Sequence, residues 1–334
     1  MKSIFVSEFL CSGALSEQDL PESLTSEGQA MLAAVCEDLL RTGRYHVCTT
    51  LDERAWPDCP QAIEFVRVKS SSEEWGCFQK LAQRSTATLV IAPELGQELE
   101  RRVTWLEAVQ RNSTMSFSPT VSLTSDKLRF GQWCEERGIA TLPVSIVADD
   151  GLSAIDWAQP HMIKPRYGAG ATATVRVESQ AAAKRFLENE QHREFGPFII
   201  QPWLDAMPLS IAGVVCPQTG RRQWGPLGRQ KFADGHYSGG TIPFPCPATA
   251  DAFGIIEQVC DQLPGLRGWI GFDFLYSTSA SPPLQLLEVN PRMTTSYLGY
   301  RQLTETPLAE LMLGFGQSKE VRWRPGTVDF SAVP

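Results

Sequence analysis

The stretch "LLEVNPRMTTSYLGYR", Leu286 to Arg301, starts as an apolar strand and then offers Glu288, Asn290 and Arg292 at its end. All three are costly to bury without partners. Either the strand end is solvated and paired with nearby charges, or something charged sits against it. Side chains alternate between the two faces of a strand. In "GWIGFDFLY", Gly268 to Tyr276, that alternation puts Ile270, Phe272, Phe274 and Tyr276 on one face, and Asp273 on the other with Gly271. In "LQLLEVN" it puts Glu288 and Asn290 with Leu286, and turns Leu287 and Val289 away. The connection "STSASPP" is short enough for the two strands to be hairpin neighbours.

As neighbours, the strands would bring Asp273, Glu288 and Asn290 together. Two carboxylates and an amide oxygen are hard ligands of the kind that hold magnesium. Positions i and i+2 of a strand lie roughly 6–7 Å apart, a reach that suits two ions about 3.5–4 Å from each other. Magnesium held by few protein groups usually serves a phosphate, so the chain should also carry phosphate-binding cations. Lys127 and Lys164 are the candidates. Lys164 closes the apolar run "HMIK" just before the loop "YGAGATATV". Gly168 and Gly170 would let backbone N–H groups approach an anion, and Thr172 and Thr174 could add hydroxyls. Taken alone, this loop reads as a plain β-hairpin turn before it reads as a phosphate loop. It is neither a P-loop nor a dinucleotide fingerprint.

Composition narrows the class. The chain has 334 residues, 43% hydrophobic and 20% charged, as in ordinary globular proteins of two or three domains. A net charge of −8 argues against a nucleic-acid-binding surface. The nine cysteines are odd in number, lack a C-x-x-C pair and read as buried free thiols of a reducing compartment. The four scattered histidines do not suggest zinc. Glu8 interrupts the apolar N-terminus, which fits a first strand better than a signal peptide. No stretch is long and apolar enough for a membrane span. The expectation is a cytoplasmic protein.

The first part of the chain alternates strands ("IFVSEF", "YHVCTTLD", "AIEFVRV", "ATLVIAPE") with helices. That order predicts a parallel sheet covered by helices on its faces. The first helix is expected to start at an N-cap by Thr25 or Ser26 and to stop at Gly43. "RNSTMSFSPTVSLTSD" reads as a boundary. Beyond it come a helix capped by Ser125 or Asp126, a strand "TLPVSIV", the Lys164 strand, a helix "SQAAAKRFLENE", the strand "FIIQPWL" and, later, the two acidic strands.

The succession "SDK", "IKPRYGAGA", "IIQPWL", "GFDF", "LLEVNPR" resembles the ATP-grasp superfamily of carboxylate–amine ligases between Ser125 and Arg292. The resemblance implies an α/β fold, α+β in its later part: an N-terminal parallel α/β domain (1–117), a central subdomain with a glycine-rich flap (118–204) and a C-terminal subdomain with the metal and substrate site (205–334). It implies that Lys127, Lys164 and the flap from Gly168 through Gly170 to Thr172 bind ATP phosphates. Gln201, Trp203 and Leu204 would hold adenine, and Asp273, Glu288 and Asn290 would hold Mg2+ or Mn2+, as two ions. Gln201 stands where the family often has Glu. The usual ribose-binding acid is replaced near Pro208, leaving Asp205 as a substitute. Arg292 would sit near the transferred phosphate or the acyl group, with Arg229 as a second catalytic cation or a surface residue. His236 and Tyr237 could shape the acceptor pocket. Thr294, Thr295 and Ser296 would line the substrate site, unless Thr294 or Thr295 is simply a helix N-cap.

A narrower similarity, carried by "SEFLCSGAL", "SLTSEGQAMLAAVCEDL", "IAPELG" and "NPRMTTSYLGYR", is to the tyramine–glutamate ligase group of methanofuran biosynthesis. It implies small amino-acid and amine substrates, with another amino-acid or dipeptide ligase, or an ATP-binding regulatory protein without turnover, as the alternatives. The oligomeric state stays open, a homodimer included.

Overall fold

Strands β1 (Lys2–Glu8), β2 (Tyr45–Leu51), β3 (Glu64–Arg67) and β4 (Ala87–Ile91) form a parallel sheet in the order β3-β2-β1-β4. The computed structural model describes residues 1–20, 22–109, 114–147, 151–168, 172–233, 235–315 and 320–332. Helix α1 (Glu22–Leu40) covers one face of this sheet, with Leu32, Val35 and Leu39 against Ile4, Val6 and Leu89. Helices α2 (Ser71–Arg84) and α3 (Glu98–Val109) cover the other, with Phe78, Leu81, Leu99 and Val103 against Phe5 and Val90. The chain leaves β1 toward one face and β4 toward the other, so the carboxyl ends of these neighbours flank a topological switch point. Helix α1 starts earlier than the expected cap, and Thr25 and Ser26 lie inside its first turns. It stops before Gly43, at φ 66°.

The expected boundary stretch is partly helical. Helix α4 (Ser118–Ser125) begins with Pro119 in its first turn, where a missing N–H costs nothing. Helix α5 (Lys127–Glu136) follows, with Asp126 as its N-cap. The central sheet comprises β5 (Ser145–Ile146), β6 (His161–Pro165), β7 (Val175–Val177) and β8 (Phe198–Pro202) in the antiparallel order β5-β8-β6-β7, with helix α6 (Gln180–Glu188) on one face. The expected strand "TLPVSIV" shrinks to Ser145–Ile146, because Pro143 cannot donate to a ladder.

The C-terminal sheet contains β9 (Met207–Val215), β10 (Arg222–Trp224), β11 (Gly228–Ala233), β12 (His236–Ile242), β13 (Gly268–Tyr276), β14 (Leu284–Asn290) and β15 (Val328–Ser331). Its order is β14-β13-β9-β11-β12-β15, with β10 paired to β9. Helix α7 (Thr249–Gln262) and α5 pack on one face through Ile256, Val259, Phe130 and Phe272. On the other face, helices α8 (Tyr297–Tyr300) and α9 (Leu308–Leu313) join Val214 and Trp269 to α1 in one continuous core. Asp38 of α1 is buried in that interface, accepting from the Tyr297 hydroxyl at 2.5 Å and pairing with Arg301 at 2.7 Å. No helix among the described residues is long and apolar enough to cross a membrane.

Candidate active site

The hairpin of β13 and β14 forms as its short connection predicts, with Gly271 opposite Asn290 and Asp273 opposite Glu288. Its alternation departs from the simple pattern. The register slips after Asp273, pairing Phe274 with Leu286 and leaving Leu287 as a bulge. The bulge reverses the phase of β14. Leu286 therefore joins Leu284 and Val289 in the apolar core under α7, instead of sharing a face with Glu288. Glu288 and Asn290 stay on the face of Asp273.

Asp273 is tightly surrounded. Asn290 Nδ2 donates to its Oδ2 at 2.9 Å, and Gln230 Nε2 to its Oδ1 at 2.9 Å. Burial, and then the charge of Glu288, push Asp273 up to about 8. Burial also opposes ionisation of Glu288, but Lys127, Lys164 and Arg292 outweigh it and hold this carboxyl below its ordinary range. Lys127 Nζ stands 3.7 Å from Glu288 Oε2 and donates to Gly168 O at 2.7 Å. Burial drops Lys164 to about 8 despite the pull of Glu288. Among the described residues, no three His, Cys, Asp or Glu side chains converge. The donor set that does converge is two acids and an amide. Its oxygen chemistry fits a hard divalent cation.

The predicted adenine residues lie along β8 and just past it. Gln201 is buried opposite Met162, and its amide nitrogen donates to Leu142 O at 3.3 Å. Trp203 and Leu204 follow the strand, and Arg176 lies 5.0 Å over the Trp203 ring. Gly168 has φ 140°, a conformation that favours glycine. Thr172 accepts from the Thr174 hydroxyl at 3.3 Å. Gly170 lies outside the described residues.

Arg292 reaches across to the N-terminal sheet, where its Nε donates to Glu94 Oε1 at 2.8 Å. Arg229 does not join this group. It pairs with Leu209, whose side chain is in the core on the opposite face from Asp273, and its exposed guanidinium lies 5.6 Å over Phe244. Strand alternation gives the inward position to its neighbour Gln230. His236 is exposed at the start of β12. Tyr237 is half-buried, and burial with the fields of Asp273 and Glu27 pushes its hydroxyl well above the ordinary tyrosine range. Neither Thr294 nor Thr295 caps α8. Thr294 Oγ1 accepts from Trp269 Nε1 at 3.0 Å, the Thr295 hydroxyl donates to Glu27, and Ser296 shares a 2.8 Å bond with Thr294.

A profile of the ATP-grasp domain matches residues 124–296, more than half of the chain. The chain belongs to the ATP-grasp superfamily. A pre-ATP-grasp domain profile matches residues 45–116. No curated protein matches this ATP-grasp chain in sequence. Solved structures match its fold. An ATP-grasp superfamily protein from Archaeoglobus fulgidus is 19% identical, with 96% of this chain and 91% of that chain covered at a TM-score of 0.71. N5-carboxyaminoimidazole synthetase from Staphylococcus aureus, complexed with ADP, is 15% identical over 96% and 80%, at 0.72. A biotin carboxylase–β,γ-ATP complex from Campylobacter jejuni is 12% identical over 98% and 74%, at 0.74.

Four positions around the ATP-grasp site escaped the sequence reading. Asp126 receives Arg166 at 2.7 and 2.6 Å and the Tyr167 hydroxyl at 3.0 Å, tying α5 to the chain just after β6. "SDK" and "KPRYG" contained this pair, but an Asp that looks like an N-cap hides its second role. Gln230 was hidden by strand phase. Glu27 and Glu94 lie far from Arg292 in sequence, and no local pattern joins them.

Proposed function

We propose that the chain is an ATP-dependent ligase joining an amino-acid carboxylate to an amine through an acylphosphate, of the tyramine–glutamate type in methanofuran-like cofactor biosynthesis. The observation that carries the reading is the half-buried pair Asp273–Glu288 with Asn290, faced by Lys127, Lys164 and Arg292. Negative and positive groups are held close together where charge on a transferring phosphoryl group would need both.

Asp273, Glu288 and Asn290 would hold magnesium or manganese, as two ions, which when bound supply Lewis-acid neutralisation of the phosphate oxygens. Lys127 and Lys164 bind and orient the phosphates from the central side. Gln201 accepts from the adenine amino group, with Trp203 and Leu204 beside the ring. The flap from Gly168 to Thr172 excludes water, which would otherwise hydrolyse the acylphosphate. The substrate carboxylate attacks the γ-phosphorus and ADP leaves. The amine then attacks the acyl carbon, the C–O bond to phosphate breaks, and amide, inorganic phosphate and a proton result. Arg292 stabilises charge at the acyl end. Residues 1–117, 118–204 and 205–334 form the three working parts. The experiment is ADP release measured for glutamate and other amino acids crossed with tyramine and other amines, with product masses. Release that needs both partners, with an amide product, supports the reading. No stimulation by any pair overturns it, and the reacting pair separates tyramine–glutamate ligation from another amino-acid or dipeptide ligation.

A further inference from the structure

Beyond Arg292, on the side away from the lysines, the site is walled by the N-terminal sheet. Glu94 follows β4 at the switch point between β1 and β4, where open α/β sheets bind ligands. Its side chain is only 6% exposed. Oε1 accepts from Arg292, while Oε2 is buried with no hydrogen-bond partner among the described residues. A buried, unpaired carboxylate oxygen is a strong demand for a donor. Glu27 approaches the same place from α1. Its carboxylate accepts the Thr295 hydroxyl, and its field reaches both Arg292 and Tyr237.

The charges do not cancel at this edge. Glu288 is already balanced by Lys127 and Lys164. Glu8, at the end of β1, is turned to the Cys11 N–H and lies in the field of Arg102. Among the described residues, Glu27 and Glu94 therefore face one cation, Arg292, and carry one negative charge in excess. A primary ammonium supplies one positive charge and three donors.

We propose that Glu27 and Glu94 hold the acceptor substrate as a protonated primary amine, so that the N-terminal domain is the amine-binding part of the enzyme. This rests on the acylphosphate-ligase reading. It makes Thr295 a positioning residue, since its hydroxyl fixes the Glu27 carboxylate. One proton leaves the ammonium before nitrogen attacks the acyl carbon. The carboxylate that held the ammonium receives it and releases it to solvent when the amide leaves.

The test uses the full-length chain with ATP, the acid partner, and either a primary amine (tyramine, phenethylamine and putrescine, taking the best) or hydroxylamine, which is largely uncharged at neutral pH and traps the acylphosphate as hydroxamate. Glu27→Gln is expected to raise KM for the amine about ten- to hundredfold, the loss of one charge-assisted hydrogen bond. KM for ATP and for the acid stays within about twofold, and hydroxamate formation is kept. Glu27→Asp recovers part of the loss because it keeps the charge, and Thr295→Val raises the amine KM several-fold. An unchanged amine KM in Glu27→Gln, or equal loss of amide and hydroxamate, overturns the proposal while leaving the ligase reading standing. Absence of hydroxamate from the unaltered protein overturns both.

Discussion

The two sheets that face each other across the site are held in different ways. The C-terminal sheet carries the acids and shares a core with the N-terminal sheet, sealed by Asp38, Tyr297 and Arg301. The central sheet carries Lys164, yet its own core among the described residues is six buried side chains: Leu152, Ile163, Val177, Ala183, Phe198 and Ile200. A small core opens at lower free energy than a large one. In the proposed ligase, the acids need fixed spacing to hold the metal ions. In the proposed ligase, the lysine side must approach and withdraw as nucleotide enters and leaves. Separate cores let one chain meet both needs.

The strongest way to break this contrast is at the acids. Glu288→Ala is expected to cut ADP release about a thousandfold, since it removes charge stabilisation at the reacting phosphate. Its melting temperature should stay near that of the parent, because Glu288 is partly exposed and packs no core. A steady-state assay beside a thermal scan checks both halves.

The shared core is tested by Asp38→Ala, which strands the Tyr297 hydroxyl and weakens the hold on Arg301. Loss of one partner from a buried polar network should cost about 3 kcal/mol. Urea unfolding followed separately in the two sheets should move both midpoints together. A shift confined to the N-terminal sheet would mean that the core is not shared in energy.

Glu8 gives an effect of comparable or smaller size with a pH signature. Burial raises its carboxyl from the ordinary 4.5 to about 7. Between those values the folded chain keeps a proton that the unfolded chain releases, so stability falls as pH rises through the window. Glu8→Gln removes this dependence. It should gain about 2–3 kcal/mol on the parent at pH 8 relative to pH 4.5, measured as the difference in denaturant unfolding at the two pH values. Equal stability differences at both pH values would show that Glu8 ionises freely in the fold.

The smallest effect is expected at Arg229, which lies on the face away from Asp273. Arg229→Ala should leave kcat/KM within about twofold, whereas Gln230→Ala, which removes a donor to Asp273, should lower it about tenfold. A reversed order would place Arg229 in the site after all.

These contrasts also mark what the sequence could and could not convey. The parallel sheet, the hairpin and the meeting of Asp273, Glu288 and Asn290 follow from local period and a short loop, and they were legible. The bulge at Leu287 was not, because one extra residue leaves the apolar pattern plausible in either phase. The same one-residue ambiguity exchanged Arg229 for Gln230. Helix α4 was obscured by Ser, Thr and Pro, which mark a helix start as readily as a loop. Glu27 and Glu94 meet Thr295 and Arg292 only through the docking of α1 and β4 on the C-terminal sheet. Tertiary contacts of that range leave no spacing to read.

The central claim is chemical: a carboxylate oxygen is passed to phosphate before the amide forms. The direct measurement supplies the acid substrate with 18O in its reacting carboxyl, together with ATP and the amine, and weighs the inorganic phosphate released. An acylphosphate route predicts one 18O atom transferred to phosphate for each amide formed, with ADP as the other product. Unlabelled phosphate, or AMP and pyrophosphate in place of ADP, would contradict it.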